Sequence, residues 1–145
     1  MAKTRLKDLP LQEITLRKYE LPDVSNTHEV AKKFLLSMGL LQPGESRDII
    51  VDIFLALLTA RESKQPLELA ALVDKIPDKK GISESNVRRQ LRRLKNFKLV
   101  EKVSGGYRIA EFGSLEPIVD DYIHSFIVKP SVERLKEYAK ALDKK

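Results

Sequence analysis

A chain of 145 residues with 42% hydrophobic and 33% charged residues has enough apolar material for one folded core. It contains no cysteine, which excludes disulfides, thiolate nucleophiles and cysteine metal sites. No stretch approaches the roughly 18 consecutive apolar residues that a membrane helix needs, and no signal-type apolar centre is visible, so we expect a cytoplasmic protein without membrane partners. The net charge of +6 is concentrated: residues 86–110 hold eight basic residues against one acid. Such a local excess is typical of a surface that binds a polyanion, whereas a solvated helix face usually mixes both signs.

Two helices are predicted in the first part of the chain. Asn26, with Glu29 three residues later, forms a capping-box pattern, and apolar residues at helical spacing continue to Gly39. After a Pro-Gly turn, Ser46 is a candidate cap for a second helix. That helix has the broadest apolar stripe in the chain and should be central to the core: Ile49, Ile50, Ile53, Phe54, Leu57 and Leu58.

Two more helices, joined by a loop, are predicted next. Pro66 suits the first position of a short third helix that ends near Lys75, and residues 76–82 form the loop. Ser83 is a good cap for a fourth helix that extends to Phe97. Its apolar ladder recurs at intervals of four and three: Val87, Leu91 and Leu94.

A β-hairpin and two further helices complete the chain. Residues 99–103 and 107–110 are rich in β-forming types, and the glycines between them suit a tight turn. The next helix has a stripe that either covers the core or pairs with a second copy: Leu115, Ile118, Val119, Tyr122, Ile123 and Phe126. Pro130 interrupts the period, and Ser131 caps a last helix. The narrower stripe of this last helix comprises Val132, Leu135, Tyr138, Ala139 and Leu142. The predicted fold class is mainly α with a small β-hairpin, that is, α+β.

The fourth helix places its basic residues opposite its apolar ladder when its sequence is drawn at 100° per residue. The outward face and its flank comprise Ser85, Asn86, Arg88, Arg89, Arg92, Arg93, Lys95 and Asn96. Arginine and asparagine match the major-groove edges of guanine and adenine with paired donors and acceptors, while flanking cations neutralise phosphates. This pattern predicts double-stranded DNA as the partner.

From residue 81 to residue 109 the chain reads GISESNVRRQLRRLKNFKLVEKVSGGYRI. The order of a Ser cap, a Val/Leu/Leu ladder, a Leu-Val strand entry and a glycine-tipped hairpin resembles winged helix-turn-helix transcriptional regulators. The resemblance covers residues 48–112 and implies that residues 83–97 are a recognition helix and residues 99–110 a wing. It divides the chain into an N-terminal arm and helix (1–46), a winged helix-turn-helix domain (47–112) and C-terminal helices (113–145).

The resemblance also implies which residues touch DNA, since the N-terminal part of a recognition helix meets base edges. The predicted base-reading residues are Ser85, Asn86 and Arg89. The predicted contacts to the DNA backbone are Arg88, Arg92, Arg93, Lys95, Lys102 and Arg108, with the last two on the hairpin. We therefore expect a sequence-specific transcriptional regulator that forms a homodimer through its C-terminal helices, as is common in regulators that this chain resembles.

Two features depart from the family pattern. The loop 76–82 is longer than the three or four residues of a tight helix-turn-helix, and Lys98 stands where such proteins often have glycine. The arm, residues 1–25, leaves three roles open: it tracks DNA, covers the core or docks a partner.

No catalytic constellation is visible in the sequence. His28 and His124 are far apart, Asp120 and Asp121 would point about 100° apart on a helix, and no glycine loop for phosphates occurs. We expect no enzyme activity, cofactor or metal. The rival interpretation is a winged-helix module that contacts an acidic protein in a transcription or chromosome-organising complex.

Overall fold

The computed structural model describes residues 8–44, 49–77 and 82–145, so the candidate cap Ser46 lies outside the described residues. The helices are α1 (Thr27–Ser37), α2 (Ile49–Ser63), α3 (Leu69–Asp74), α4 (Glu84–Asn96), α5 (Glu116–Ile118), a π-helix (Val119–Val128) and α6 (Lys129–Asp143). Two antiparallel strands, β1 (Val100–Val103) and β2 (Gly106–Ile109), form the hairpin. The mainly α class with a small hairpin is confirmed.

Helix α1 begins and ends where the sequence predicts. The Asn26 side chain accepts a hydrogen bond from the backbone N–H of Glu29 at 3.2 Å, which caps the N-terminus. At the other end Gly39 has a φ of +74°, and the N–H of Leu40 donates to the carbonyl of Leu35 at 2.9 Å. This Schellman arrangement needs a residue that accepts positive φ, which explains the glycine.

The arm packs across the C-terminal end of α1. The N–H of Arg17 donates to the Ser37 carbonyl at 2.8 Å, and its guanidinium donates to the Leu36 carbonyl at 3.0 Å. A cation at this end also complements the helix dipole. Because Ile14 and Tyr19 pack against the core, this part of the arm has the covering role among the three left open by the sequence.

Helix α2 is central to the core, as its apolar stripe predicts. It packs against α1, α4 and β2, and its residues Phe54 and Leu57 are each 1% exposed. The Phe54 ring stacks on that of Phe34 from α1, with centroids 5.8 Å apart. Helix α4 in turn packs against α3 and β1, so the hairpin and α4 share one core with α2.

The prediction that Pro66 opens the third helix is wrong, because α3 begins only at Leu69. Residues 66–67 are instead drawn into the hairpin. The N–H of Leu67 donates to the carbonyl of Tyr107 at 2.9 Å, and the N–H of Tyr107 donates back at 2.8 Å. Leu67 therefore adds a single antiparallel bridge to the outer side of β2.

The stripe after Gly113 covers the core rather than a second copy over most of its length. Its members Leu115 to Ile123 contact the core cluster, whereas Phe126 is exposed.

The predicted break at Pro130 is wrong, and Ser131 is not a cap. The helix continues from the π-helix through Pro130 into α6, and the Ser131 hydroxyl donates back to the Ile127 carbonyl at 2.6 Å. A proline in an α-helix clashes with the carbonyl four residues before it. In front of Pro130 the N–H of Lys129 donates to the His124 carbonyl, five residues back, so the chain enters the proline from a π-turn and not from the regular α-turn in which that clash arises.

Over the three described ranges, every helix is too short or too polar to cross a membrane.

Candidate nucleic-acid interface

Helix α4 is held with one face in the core and the other in solvent. The Ser83 hydroxyl accepts from the N–H of Asn86 at 3.1 Å, so the predicted cap is present. Val87, Leu91 and Leu94 are all at most 1% exposed. Since these residues fix the rotation of the helix about its axis, the basic residues must face outward.

The candidate DNA-contacting residues of α4 lie together on that outward face. Most of them are exposed, and Asn86 and Arg93 are half-buried. A shallow depression of about 420 Å³ brings the three base-reading candidates beside two backbone candidates; it is lined by Ser83, Ser85, Asn86, Arg88, Arg89 and Arg92. The acid on α4 is Glu84 in the first turn, where it suits the positive end of the helix dipole.

A chain of hydrogen bonds connects polar residues along this face. Asn86 Oδ1 accepts from the Arg89 guanidinium at 3.0 Å and from the Gln90 amide at 3.3 Å, and Gln90 Oε1 accepts from Arg93 at 2.8 Å. The acceptor of Asn86 is thus engaged within the helix. Gln90 was absent from the predicted site, although the three- and four-residue spacings of this chain are those at which helical side chains meet.

Lys98 occupies the turn between α4 and β1 with a φ of +64°. The N–H of Leu99 donates to the Leu94 carbonyl at 3.3 Å across this turn. The family pattern has glycine here for a physical reason, because left-handed backbone costs a residue with a Cβ about 1 kcal/mol or more. Of the other departure, the loop 76–82, the four residues 78–81 lie outside the described residues.

The two predicted cations of the hairpin differ in their surroundings. Lys102 is exposed, with Nζ 5.9 Å from the centroid of the Tyr107 ring. Arg108 Nε instead lies 2.6 Å from Glu101 Oε1, and its guanidinium stacks 4.8 Å from the Phe112 ring centroid. A phosphate would have to compete with Glu101 for Arg108, so Lys102 is the more accessible cation of the hairpin.

Glu101 makes the hairpin sensitive to acid. The backbone N–H of Glu111 donates to its carboxylate at 2.8 Å and, with help from Arg108, lowers the pKa of Glu101 below its usual value. Because the pKa of Glu101 is lower in the folded state than in the unfolded state, its charged carboxylate stabilises the fold at pH values above the unfolded pKa, near 4.3. This stabilisation is lost as the pH falls through the folded pKa. We expect Glu101→Gln to cost less than about 1 kcal/mol of unfolding free energy at pH 7.

Urea unfolding at pH 7 and pH 3 measures this effect. The gap between wild type and Glu101→Gln should narrow from pH 7 to pH 3, because protonation of the wild-type carboxyl removes the stabilisation that its charge provides. A gap of equal size at both pH values would show that the charge of Glu101 contributes nothing.

The residues considered for catalysis do not form a cluster. Among the described residues, no three His, Asp or Glu side chains are placed to hold a metal ion together. Asp120, Asp121 and His124 are exposed on the π-helix.

No family model matches this chain, and no curated protein or solved structure is significantly similar to it. The geometry of α4 and the hairpin is therefore what indicates the function.

Proposed function

We propose that residues 49–112 form a winged helix-turn-helix. The order α2, Leu67 bridge, α3, α4, β1 and β2 supports this, as does the packing of α4 against both α2 and α3. In this assignment α3 and α4 are the helix-turn-helix pair, α4 is the recognition helix, and the hairpin that follows it is the wing.

We further propose that the protein binds double-stranded DNA sequence-specifically as a transcriptional regulator. The observation that carries this proposal is the outward face of α4, where five cations follow the first turn and no acid lies among them: Arg88, Arg89, Arg92, Arg93 and Lys95. An α-helix with its side chains is about 10–12 Å wide, and the major groove of B-DNA is about 12 Å wide. Helix α4 would enter this groove with its N-terminal half toward the bases and its flanks toward the phosphates.

The hairpin would contact the backbone or the minor groove beside that site. Lys102 lies on β1, so docking α4 brings this cation toward the same duplex. In a homodimer two copies of α4 would meet half-sites about one helical turn apart.

The first test is a titration of a labelled random-sequence duplex at several salt concentrations. With six predicted phosphate contacts, log affinity should fall with log salt at a slope of about −4 or steeper, because each neutralised phosphate releases bound counterions. The variant Arg93→Ala should bind every sequence more weakly and reduce the magnitude of the slope by about one.

The matched control is Lys140→Ala, which removes one positive charge from exposed α6 and so produces the same net charge as Arg93→Ala. It should leave the slope unchanged. Absence of binding even at low salt would overturn the DNA proposal and direct the search to an acidic protein partner of the same face.

A further inference from the structure

Within the parts of the chain that the structure describes, helix α6 makes very few packing contacts. Every residue from Lys129 to Lys145 is exposed, and the main neighbour of α6 is the π-helix that runs into it. An isolated helix of about 15 residues is marginal in water, and most helices in proteins are stabilised by burial of an apolar face. A single copy of α6 therefore lacks the burial of an apolar face that stabilises most protein helices.

The apolar residues of α6 follow the spacing of a two-stranded coiled coil. Intervals of three, four and three separate the exposed residues Val132, Leu135, Ala139 and Leu142. Such a seam lies along one side of a helix and fits the matching seam of another. Leu135 is 63% exposed and Leu142 is 70% exposed, so the seam is open over its whole length.

The arm extends this apolar surface beyond the helix. A groove of about 410 Å³ runs between the arm and the beginning of α6, lined by Leu11, Gln12, Pro130, Ser131, Arg134, Leu135 and Tyr138. Leu11 is nevertheless 95% exposed, which means that the described residues 8–44, 49–77 and 82–145 leave this leucine uncovered. The groove has room for side chains but not for an entire helix, whose diameter is about 10–12 Å.

We propose that a second copy of this chain covers this composite surface, with the α6 helices of the two copies paired and partner side chains seated in the groove beside Leu11. The arm then has a role in assembly in addition to covering the core. The resemblance already implies a homodimer through the C-terminal helices; this proposal adds the residues of its interface and a part for the arm, and it does not depend on DNA binding.

Three observations favour a second copy as the occupant. The seam is self-complementary, which is what a twofold interface requires. The four bases and three acids of α6 nearly cancel, so two copies do not repel: Lys129, Glu133, Arg134, Lys136, Glu137, Lys140 and Asp143. Finally, five large apolar side chains are exposed on this composite surface: Leu11, Val132, Leu135, Tyr138 and Leu142. At roughly 100 Å² each, two copies would remove about 1,000 Å² from water, which is about the smallest area expected of a biological interface.

Sedimentation velocity of the full chain without DNA, over a range of protein concentrations, tests the proposal. The wild type should be a dimer at micromolar concentration. Leu135→Glu should raise the dimer dissociation constant at least 100-fold, because symmetry places two charges in one apolar seam.

Leu11→Ser should raise the dimer dissociation constant about 10-fold, since each copy loses one leucine contact. Leu21→Ser is the matched control: this arm leucine is 80% exposed but does not line the groove, and its replacement should change nothing.

A second measurement uses the natural absence of cysteine. In a parallel pair the two copies of residue 142 face each other, so Leu142→Cys on the seam should form a disulfide-linked dimer on mild oxidation, whereas Lys140→Cys off the seam should not; in an antiparallel pair neither variant should be linked. Circular dichroism of each variant verifies that the core is folded.

The proposal is overturned if the wild type stays monomeric at 100 times the micromolar concentration at which a dimer is expected. It is also overturned if Leu135→Glu leaves the dimer intact. If Leu11→Ser and Leu21→Ser behave alike, the arm has no part in the interface and that half of the proposal is wrong. None of these readouts involves DNA, so failure of the assembly and failure of DNA binding are distinguished.

Discussion

Replacing Gly106 by alanine should lower the free energy of unfolding by about 2–4 kcal/mol, as strain and overpacking combine at this position. Gly106 has a φ of +134°, and a Cβ built on it would lie 2.3 Å from the carbonyl oxygen of Leu67. That oxygen accepts the hydrogen bond from the Tyr107 N–H, so it cannot move away without loss of the bridge. Urea denaturation followed by circular dichroism measures the change.

Gly105→Ala separates the two causes. Gly105 also has positive φ, at +95°, but its Cβ would meet only the Pro66 side chain at an ordinary 3.4 Å. The free energy of unfolding of this variant should therefore fall by only the cost of placing a residue with a Cβ in left-handed backbone, about 1 kcal/mol. Equal losses at the two positions would contradict the close approach of Leu67 to the hairpin.

Local signals in the sequence account for the parts of the fold that could be predicted. The Asn26 and Ser83 caps and the Val87, Leu91 and Leu94 ladder depend on neighbours within four residues, and all are present in the structure. Such interactions are readable because the chain itself sets the distances between the partners.

The errors arose where a distant contact or an uncommon helix decided the outcome. Leu67 and Tyr107 are 40 residues apart, and a single bridged residue leaves no alternating pattern in the sequence. Proline normally breaks a helix, but the π-helix in front of Pro130 changes the backbone that this proline meets, and the helix continues. The position of the arm on α1 had no sequence signal, since it rests on backbone and guanidinium hydrogen bonds to carbonyls of another element.

For the candidate site, the helical wheel identified the outward face, because the apolar ladder fixes the rotation of α4. It could not assign what each side chain does. The engagement of Asn86 by Arg89, and of Arg108 by Glu101, depends on side-chain conformations that a wheel does not contain. These pairings alter which groups remain available for DNA.

Arg89→Ala should abolish discrimination at one base-pair position of the preferred site, at a cost of about 1–3 kcal/mol, or roughly 5- to 150-fold in relative affinity. The Arg89 guanidinium donates one hydrogen bond to Asn86 and is exposed, so its remaining donors can reach a guanine edge. The measurement is selection of a site from a randomised duplex, followed by competition binding with each base pair replaced in turn. Arg92→Ala is the control, because a phosphate contact should weaken all sequences alike. A uniform loss with Arg89→Ala would remove this residue from base reading.

Asn86→Ala decides whether Asn86 reads a base itself or orients Arg89. Its Oδ1 accepts hydrogen bonds from Arg89 at 3.0 Å and from Gln90 at 3.3 Å. In the free protein the amide donors of Asn86 therefore remain available to a base, whereas its acceptor is already engaged. If Asn86 acts through Arg89, both single variants lose discrimination at the same base pair, and the double variant is no worse than Arg89→Ala. If Asn86 reads adenine directly, a second base pair is affected and the two losses add, because independent contacts contribute additively. From the hydrogen bonds of α4 we expect the first result, with Asn86→Ala losing only part of what Arg89→Ala loses.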